Sequence, residues 1–156
     1  MEREKLIISA QKIKLPGADA LEQYRNNRDK ASHKLNTRME SRPDIYELIG
    51  GENNISMMRD NHANHTRFIY SIMVEFDPST LVDTIVWVFR AYRSRKFHPN
   101  YWAAQLNGWI EILSEMLPAE SYSQIVPIYE WMQIHIPDFT ELSDDNSVMC
   151  QTGIVH

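Results

Sequence analysis

Apolar residues recur at steps of three and four along most of this chain, which is the spacing of amphipathic α-helices. The clearest series falls on one helical stripe and consists of Ile55, Met58, His62, His65, Ile69, Ile72 and Phe76. Between residues 19 and 136 no alternating pattern of the kind that marks β-strands competes with the helical one. The pattern therefore predicts an all-α fold.

Prolines, glycines and capping residues divide this pattern into about five to six helices, which we expect to form one globin-like bundle. Asp77 followed by Pro78 predicts an N-cap and the first residue of a helix that begins almost without a loop. This helix is apolar nearly all round from Leu81 to Phe89, so it is predicted to be the central buried element. Residues 19–40 carry only a thin apolar line among Asn, Arg and Lys, which predicts a peripheral helix or a partner surface.

Two further apolar stripes follow. The first consists of Trp102, Leu106, Trp109, Leu113 and Met116, and the second of Tyr122, Ile125, Tyr129, Met132 and Ile136. Pro127 is predicted to kink the second helix or to delay its regular start. These helices offer more aromatic surface than a small bundle is expected to hide. They therefore predict a homodimer interface through Tyr101, Trp102, Trp109, Tyr129 and Trp131.

The length of 156 residues and the hydrophobic content of 43% fit a single domain with a real core. Pro16 and Gly17 set off residues 1–18, which are predicted to be a flexible N-terminal arm. Residues 19–137 are predicted to form the helical sensor or ligand-binding domain, and residues 138–156 a disordered acidic tail.

The overall charge and the cysteine count narrow the classes of function. The formal net charge of −5 argues against nucleic acid as a partner, because nucleic-acid binders usually present a basic face. The sequence shows neither a signal-peptide pattern nor a long apolar run, so a cytoplasmic location without a membrane span is predicted. The single cysteine, Cys150, excludes an intrachain disulfide, and its polar surroundings argue against a nucleophilic role.

His62 and His65 stand three residues apart and share one helix face, within a stripe that otherwise belongs to the core. This spacing allows both imidazoles to bind one metal ion, and either one alone can ligate a haem or another tetrapyrrole. The other interpretation is a hydrogen-bonded polar layer in the core, or the wall of a cavity that holds no metal. The sequence favours the second interpretation because no Glu-x-x-His pair is present.

Asp83, Trp87 and Arg90 follow one stripe of the helix that begins at Pro78. They are interpreted either as a polar anchor for an anionic ligand beside an aromatic wall, or as residues that pair with neighbouring helices. Neither a nucleophile with its base nor a pair of carboxylates assembles from the spacing. A non-catalytic function is therefore favoured over an enzyme.

The segment HTRFIYSIMVEFDPSTLVDTIVWV, residues 65–88, resembles the helical module that precedes cobalamin-binding domains in bacterial regulators. The positions that match that module are His65, Phe68, Asp77, Pro78, Asp83 and Trp87. In architecture the chain also looks like the haem-free, globin-like sensor domains of bacterial signalling proteins. No Asp-x-His-x-x-Gly motif is present, so the resemblance implies sensing or regulation rather than cobalamin binding.

We therefore expect a non-catalytic, cytoplasmic ligand-sensing or regulatory module that binds a small or hydrophobic molecule. It is expected to act through a homodimer, with a signalling protein as a further partner. The predicted ligand-binding residues are His62, His65, Phe68, Asp83, Trp87 and Arg90. His65 is expected to lie deeper in the core than His62. The alternative is a haem-, bilin- or metal-binding protein that uses His65 or His62 as its ligand.

Overall fold

The computed structural model describes residues 1–144. This part of the chain contains eight α-helices and no β-strand, which confirms the all-α prediction. The helices are α1 (Arg3–Ala10), α2 (Ala18–Glu40), α3 (Ile45–Ile49), α4 (Ile55–Val74), α5 (Pro78–Ser94), α6 (Asn100–Met116), α7 (Ala119–Ile134) and α8 (Ile136–Asp144), with a single 3-10 turn at Glu52–Asn54. The helices outnumber those predicted, because α1 and most of α8 lie in segments that the sequence pattern assigns to the arm and the tail.

α2 is the helix around which the others are arranged. It packs against α4, α6 and α7, and it buries Ala20, Tyr24, Ala31, Ser32, Leu35 and Met39. Several of these side chains are small, and neighbouring helices approach closely: a Cβ atom added to Gly108 of α6 would lie 2.6 Å from Leu35 Cδ1. The prediction of a peripheral helix is therefore wrong. A narrow stripe in which half of the side chains are small is sufficient when three helices pack against it.

α5 forms one side of the bundle. It begins as predicted, with the Asp77 carboxylate accepting a hydrogen bond from the backbone N–H of Ser79 at 3.1 Å and Pro78 in the first turn. α1 and α8 pack against it. Arg3 of α1 donates hydrogen bonds of 2.7 and 2.8 Å to the two carboxylate oxygens of Asp83. The prediction that this helix is central is wrong. α1 and α8 cover part of its apolar surface, and another part lines a cavity.

The two segments that were expected to lack structure contribute helices to the core. α1 buries Leu6, Ile7 and Ala10. α8 buries Phe139 and Ser143, so the helical part continues beyond residue 137. Each short helix has a few apolar side chains on one face, and these become significant only when α5 covers them. The rest of the predicted tail, including Cys150, lies outside the described residues.

The aromatic side chains that were assigned to a homodimer interface lie in the core of the fold. All five of them are buried: Tyr101, Trp102, Trp109, Tyr129 and Trp131. Trp102 stacks on Phe89 of α5 with ring centroids 4.4 Å apart, and its edge meets Tyr101 at 4.9 Å. These aromatics therefore no longer support a homodimer.

Two further sequence predictions concern single helices. Pro127 lies inside α7, which runs unbroken from Ala119 to Ile134, so the delayed start is not observed. Among residues 1–144, no helix combines the length and the apolar character that a membrane span requires.

Candidate functional site

A cavity of about 300 Å³ lies between α4, α5 and α6, a volume at the lower end of the range for small-molecule sites. It is lined by Asn61, Asn64, His65, Phe68 and Ile69 of α4; Thr84, Ile85, Trp87, Val88, Phe89 and Tyr92 of α5; Trp102, Gln105 and Leu106 of α6; Met132 of α7; and Phe139 of α8. Within the described part of the chain, none of these lining residues is a lysine, an arginine or a carboxylate. The cavity is therefore mainly apolar and aromatic, with a few uncharged polar groups.

The cavity exists because α5 packs on α1 and α8 while large rings hold it away from the rest of the bundle. Phe89 of α5 lies parallel to Trp102 of α6 and meets Phe139 of α8 edge-on at 5.5 Å. Trp87, from the same helix, also lines the space. Such ring pairs have fixed geometry, so they set the separation of the walls.

His65 connects the cavity to a pair of buried tyrosines. Its ring stacks on Trp109 with centroids 5.0 Å apart, and its Nε2 lies 3.0 Å from the hydroxyl of Tyr129. That hydroxyl is in turn 2.6 Å from the hydroxyl of Tyr24 on α2. Burial lowers the pKa of His65 to about 3, with a smaller contribution from His62, so the imidazole is neutral at physiological pH.

His62 lies one layer behind the cavity. Its Nδ1 is 2.6 Å from the Asn36 side-chain oxygen and its Nε2 is 2.9 Å from the Tyr101 hydroxyl. Burial lowers its pKa to about 3 as well. His62 has an exposure of 0%, whereas His65 is only partly buried. The expectation that His65 lies deeper is therefore wrong.

The hydrogen bonds around His62 determine which of its nitrogens carries the proton. The Tyr101 hydroxyl donates to the Asn61 oxygen at 2.9 Å, so the Tyr101 oxygen must accept from His62 Nε2. A neutral His62 then has an unprotonated Nδ1, which accepts once the Asn36 amide turns its NH2 group towards it. Gln105 donates to the same Asn61 oxygen at 2.8 Å, which completes the network. Since Asn61 and Gln105 also line the cavity, His62 supports the cavity wall from behind.

The structure brings three of the six predicted ligand-binding residues together: His65, Phe68 and Trp87 all line the cavity. Asp83 instead pairs with Arg3. Arg90 donates from Nη2 to the backbone carbonyl of Leu142 on α8 at 3.2 Å. An anionic anchor beside the aromatic wall is therefore not assembled by Asp83 and Arg90.

Several lining residues went unrecognised in the sequence. Asn61 lies one helical turn before His65 and shares its face, and Gln105 falls three residues after Trp102 on the apolar face of α6. A polar side chain on an otherwise apolar helix face was the available indication in both cases. Thr84 gave no comparable indication.

Of the four ring nitrogens of His62 and His65, one is available to ligate a metal or a haem. Both ring nitrogens of His62 are engaged in hydrogen bonds. On His65 only Nε2 is engaged, and Nδ1 has no hydrogen-bond partner among residues 1–144. In that part of the chain, no group of three or more His, Cys, Asp or Glu side chains is placed to hold a metal ion. A ligand role for His65 would therefore use Nδ1.

The chain matches no protein-family model, and neither a curated protein nor a solved structure is similar to it at a significant level. The resemblance to the helical module of bacterial regulators therefore stays a prediction.

Proposed function

We propose that this protein binds a small apolar molecule in the cavity beside α5 and acts as a non-catalytic ligand-sensing or regulatory module. The observation that carries the proposal is the cavity itself. Its volume of about 300 Å³ and its lining of aromatic and aliphatic side chains are typical of sites for small hydrophobic ligands. The described lining residues include no carboxylate, lysine or cysteine, so the lining favours binding over acid–base chemistry.

The position of α5 supports a sensing role. A ligand in the cavity would contact α4, α5 and α6 at once, whereas α5 is otherwise attached mainly to α1 and α8. Occupation would favour one position of α5 relative to the bundle, and α1 and α8 would follow it. Differential affinity for two such positions is what a ligand-dependent switch requires.

A homodimer and a cytoplasmic location remain predictions within this proposal. The homodimer now rests only on the general observation that soluble oligomers are most often symmetric dimers of identical chains. Light scattering coupled to gel filtration over a wide concentration range tests it. A mass that stays near the 18.3 kDa of one chain throughout would contradict it.

Titration calorimetry with toluene and naphthalene tests the binding proposal directly. We expect saturable binding and a rise in melting temperature, because a ligand that binds only the folded state stabilises it. Val88→Trp places an indole in the cavity and should abolish both effects. Val74→Trp makes the same change at a position with 55% exposure and should abolish neither. Binding of neither molecule by the unmodified protein would overturn the proposal, as would unchanged binding by the Val88→Trp variant.

The alternative, a haem, bilin or metal held by His65, is supported by its Nδ1, which no described residue contacts with a hydrogen bond. A visible absorption spectrum and a metal analysis of freshly purified protein distinguish the two readings. A tetrapyrrole band or a stoichiometric metal that disappears in His65→Leu, but not in His33→Leu, would favour the alternative.

A further inference from the structure

We infer that the cavity selects uncharged ligands that carry a hydrogen-bond acceptor, and that the Nδ1–H group of His65 is the donor that recognises it. This inference rests on the proposed function and adds the chemical class of the ligand. It follows from the positions of the hydroxyl and imidazole hydrogens in the hydrogen-bonded series Tyr24–Tyr129–His65, which runs from α2 to the cavity.

The count begins at Tyr24. This residue has 1% exposure, and Tyr129 is the only hydrogen-bond partner of its hydroxyl among residues 1–144. A buried hydroxyl hydrogen without an acceptor is costly. Tyr24 therefore donates to the oxygen of Tyr129.

Tyr129 passes this direction on to His65. With its oxygen accepting from Tyr24, its own hydrogen is free to point at His65 Nε2, which lies 3.0 Å away. Nε2 is then the accepting, unprotonated nitrogen, and a neutral imidazole carries its single hydrogen on the other one. The reverse order, from His65 to Tyr129 to Tyr24, would leave the Tyr24 hydrogen unpaired in the core. The tyrosine pair thus selects the Nδ1–H tautomer of His65.

Nδ1–H has no acceptor within the described residues, and His65 is one of the residues that line the cavity. The amides of Asn61, Asn64 and Gln105 each carry both donors and an acceptor, so they accommodate either kind of polar ligand group. The hydroxyl of Thr84 can donate or accept, so it does not select between ligands. His65 Nδ1–H is therefore a donor in this wall that favours a ligand with an acceptor over one without.

The charge of the ligand follows from the rest of the lining. A carboxylate in this cavity would meet no lysine or arginine among the described lining residues, and burying an uncompensated charge is strongly unfavourable. A carbonyl group on an aromatic or aliphatic frame satisfies His65 without that cost. Aryl ketones, aldehydes and esters are the class that fits.

Three probes with one frame test the inference by calorimetry. Acetophenone carries a carbonyl, α-methylstyrene replaces the carbonyl oxygen with CH2, and benzoate carries a charge. We expect acetophenone to bind about tenfold more tightly than α-methylstyrene, the effect of one net hydrogen bond. Benzoate should bind more weakly than both. In His65→Leu the preference for the ketone should disappear, and in His33→Leu, an exposed position, it should persist.

The tautomer can be measured without any ligand, which keeps the inference testable if His65→Leu does not fold. Nitrogen-15 NMR of the unmodified protein should show a protonated Nδ1 and an unprotonated Nε2 on His65. Tyr129→Phe removes the donor and should shift the population towards the Nε2–H form. Tyr24→Phe removes the other hydroxyl of the pair, leaves Tyr129 able to donate, and should keep the Nδ1–H form.

The outcomes separate the two proposals. Equal affinity for acetophenone and α-methylstyrene, or an Nε2–H tautomer in the unmodified protein, would overturn the acceptor inference and leave the binding proposal standing. No affinity for either toluene or naphthalene would overturn the binding proposal itself.

Discussion

α2 is the more polar of the two long helices α2 and α5, yet it lies nearer the centre of the fold. α2 is predominantly polar, yet it packs against three helices of the bundle. α5 is apolar nearly all round, yet among residues 1–144 its main backbone neighbours are the short helices α1 and α8. The apolar content of a helix therefore reports how much of its perimeter is covered. It does not show whether that surface is covered by the central helices of the bundle, is covered by short terminal helices or lines a cavity.

The difference has a packing explanation. α2 presents Ala31 and Ser32 where other helices approach, so a narrow stripe gives close contact. α5 presents Trp87 and Phe89, whose size keeps its neighbours apart and leaves space between the rings. Close packing and open space thus lie on opposite sides of α4. Four predictions test this contrast, from the largest expected effect to the smallest.

Core truncation should cost more on α2 than on α5. Leu35→Ala removes a side chain with 0% exposure that lies beneath Gly108, and it should lower the free energy of unfolding by about 4 kcal/mol. Ile85→Ala removes a comparable group from the wall of an existing cavity, and it should cost about 2 kcal/mol. Urea denaturation measures both values. A cost at Ile85 equal to or larger than that at Leu35 would break the comparison.

Acid should destabilise the protein mainly through the histidine on the α2 side of α4. Above pH 6.5 neither folded nor unfolded His62 binds a proton; below it the unfolded state does, while the folded pKa stays near 3. Stability is therefore lost as the pH falls from about 6.5 towards 3, by about 2 kcal/mol between pH 7.5 and pH 5 for one fully buried histidine.

Substitutions assign this acid response to individual residues. His62→Gln should remove more of it than His65→Gln, because His65 is partly exposed. His33→Gln, at an exposed position of α2, serves as the control and should leave the response unchanged. Denaturation curves at pH 7.5 and pH 5 for the four proteins give the comparison. A larger change from His65→Gln would mean that the histidine on the cavity side of α4, and not the one on the α2 side, causes most of the acid response.

The close approach of α2 and α6 should respond to a single methyl group. Gly108→Ala places a Cβ atom 2.6 Å from Leu35 Cδ1. Overpacking outweighs the gain in helix propensity, so we expect a loss of about 1 kcal/mol. In the Leu35→Ala background the same substitution fills space and should become stabilising. A loss of the same size in both backgrounds would show that the two positions are not in contact.

The ion pair that joins α1 to α5 should have the smallest effect. Arg3 and Asp83 have side-chain exposures of 34% and 29%, and a pair that solvent partly screens contributes about 0.5 to 1 kcal/mol. A double-mutant cycle with Arg3→Met and Asp83→Asn isolates this coupling. Hydrogen exchange should also become faster in α1 when either partner is replaced. A coupling of zero would mean that apolar contacts alone attach α1 to α5.

Local features of the fold were predictable because they depend on nearby residues. The start of α5 follows from Asp77 and Pro78, and the buried face of α4 follows from its spacing at Met58, Ile69 and Ile72. The central position of α2 was not predictable in this way. It depends on α6 and α7, which lie far along the chain, and on how closely they approach.

The candidate site divides along the same line. His65 and Trp87 were predictable because a histidine on a core stripe and a tryptophan on an apolar helix are local features. The partner of Asp83 is 80 residues away, and no helical spacing indicates it. The Tyr24–Tyr129 hydroxyl contact spans 105 residues, so the sequence could not show that His65 is connected through Tyr129 to α2.

The polar exterior of α2 has a consequence for how the chain folds during synthesis. α2 leaves the ribosome well before α6 and α7, so its partners arrive late and the core depends on contacts between distant segments. A helix with a thin apolar stripe exposes little hydrophobic surface during that interval, when aggregation competes with folding. α5 emerges later and can dock at once on α1, which has already been made. The order of synthesis thus suits a chain whose most central helix is also among its most soluble.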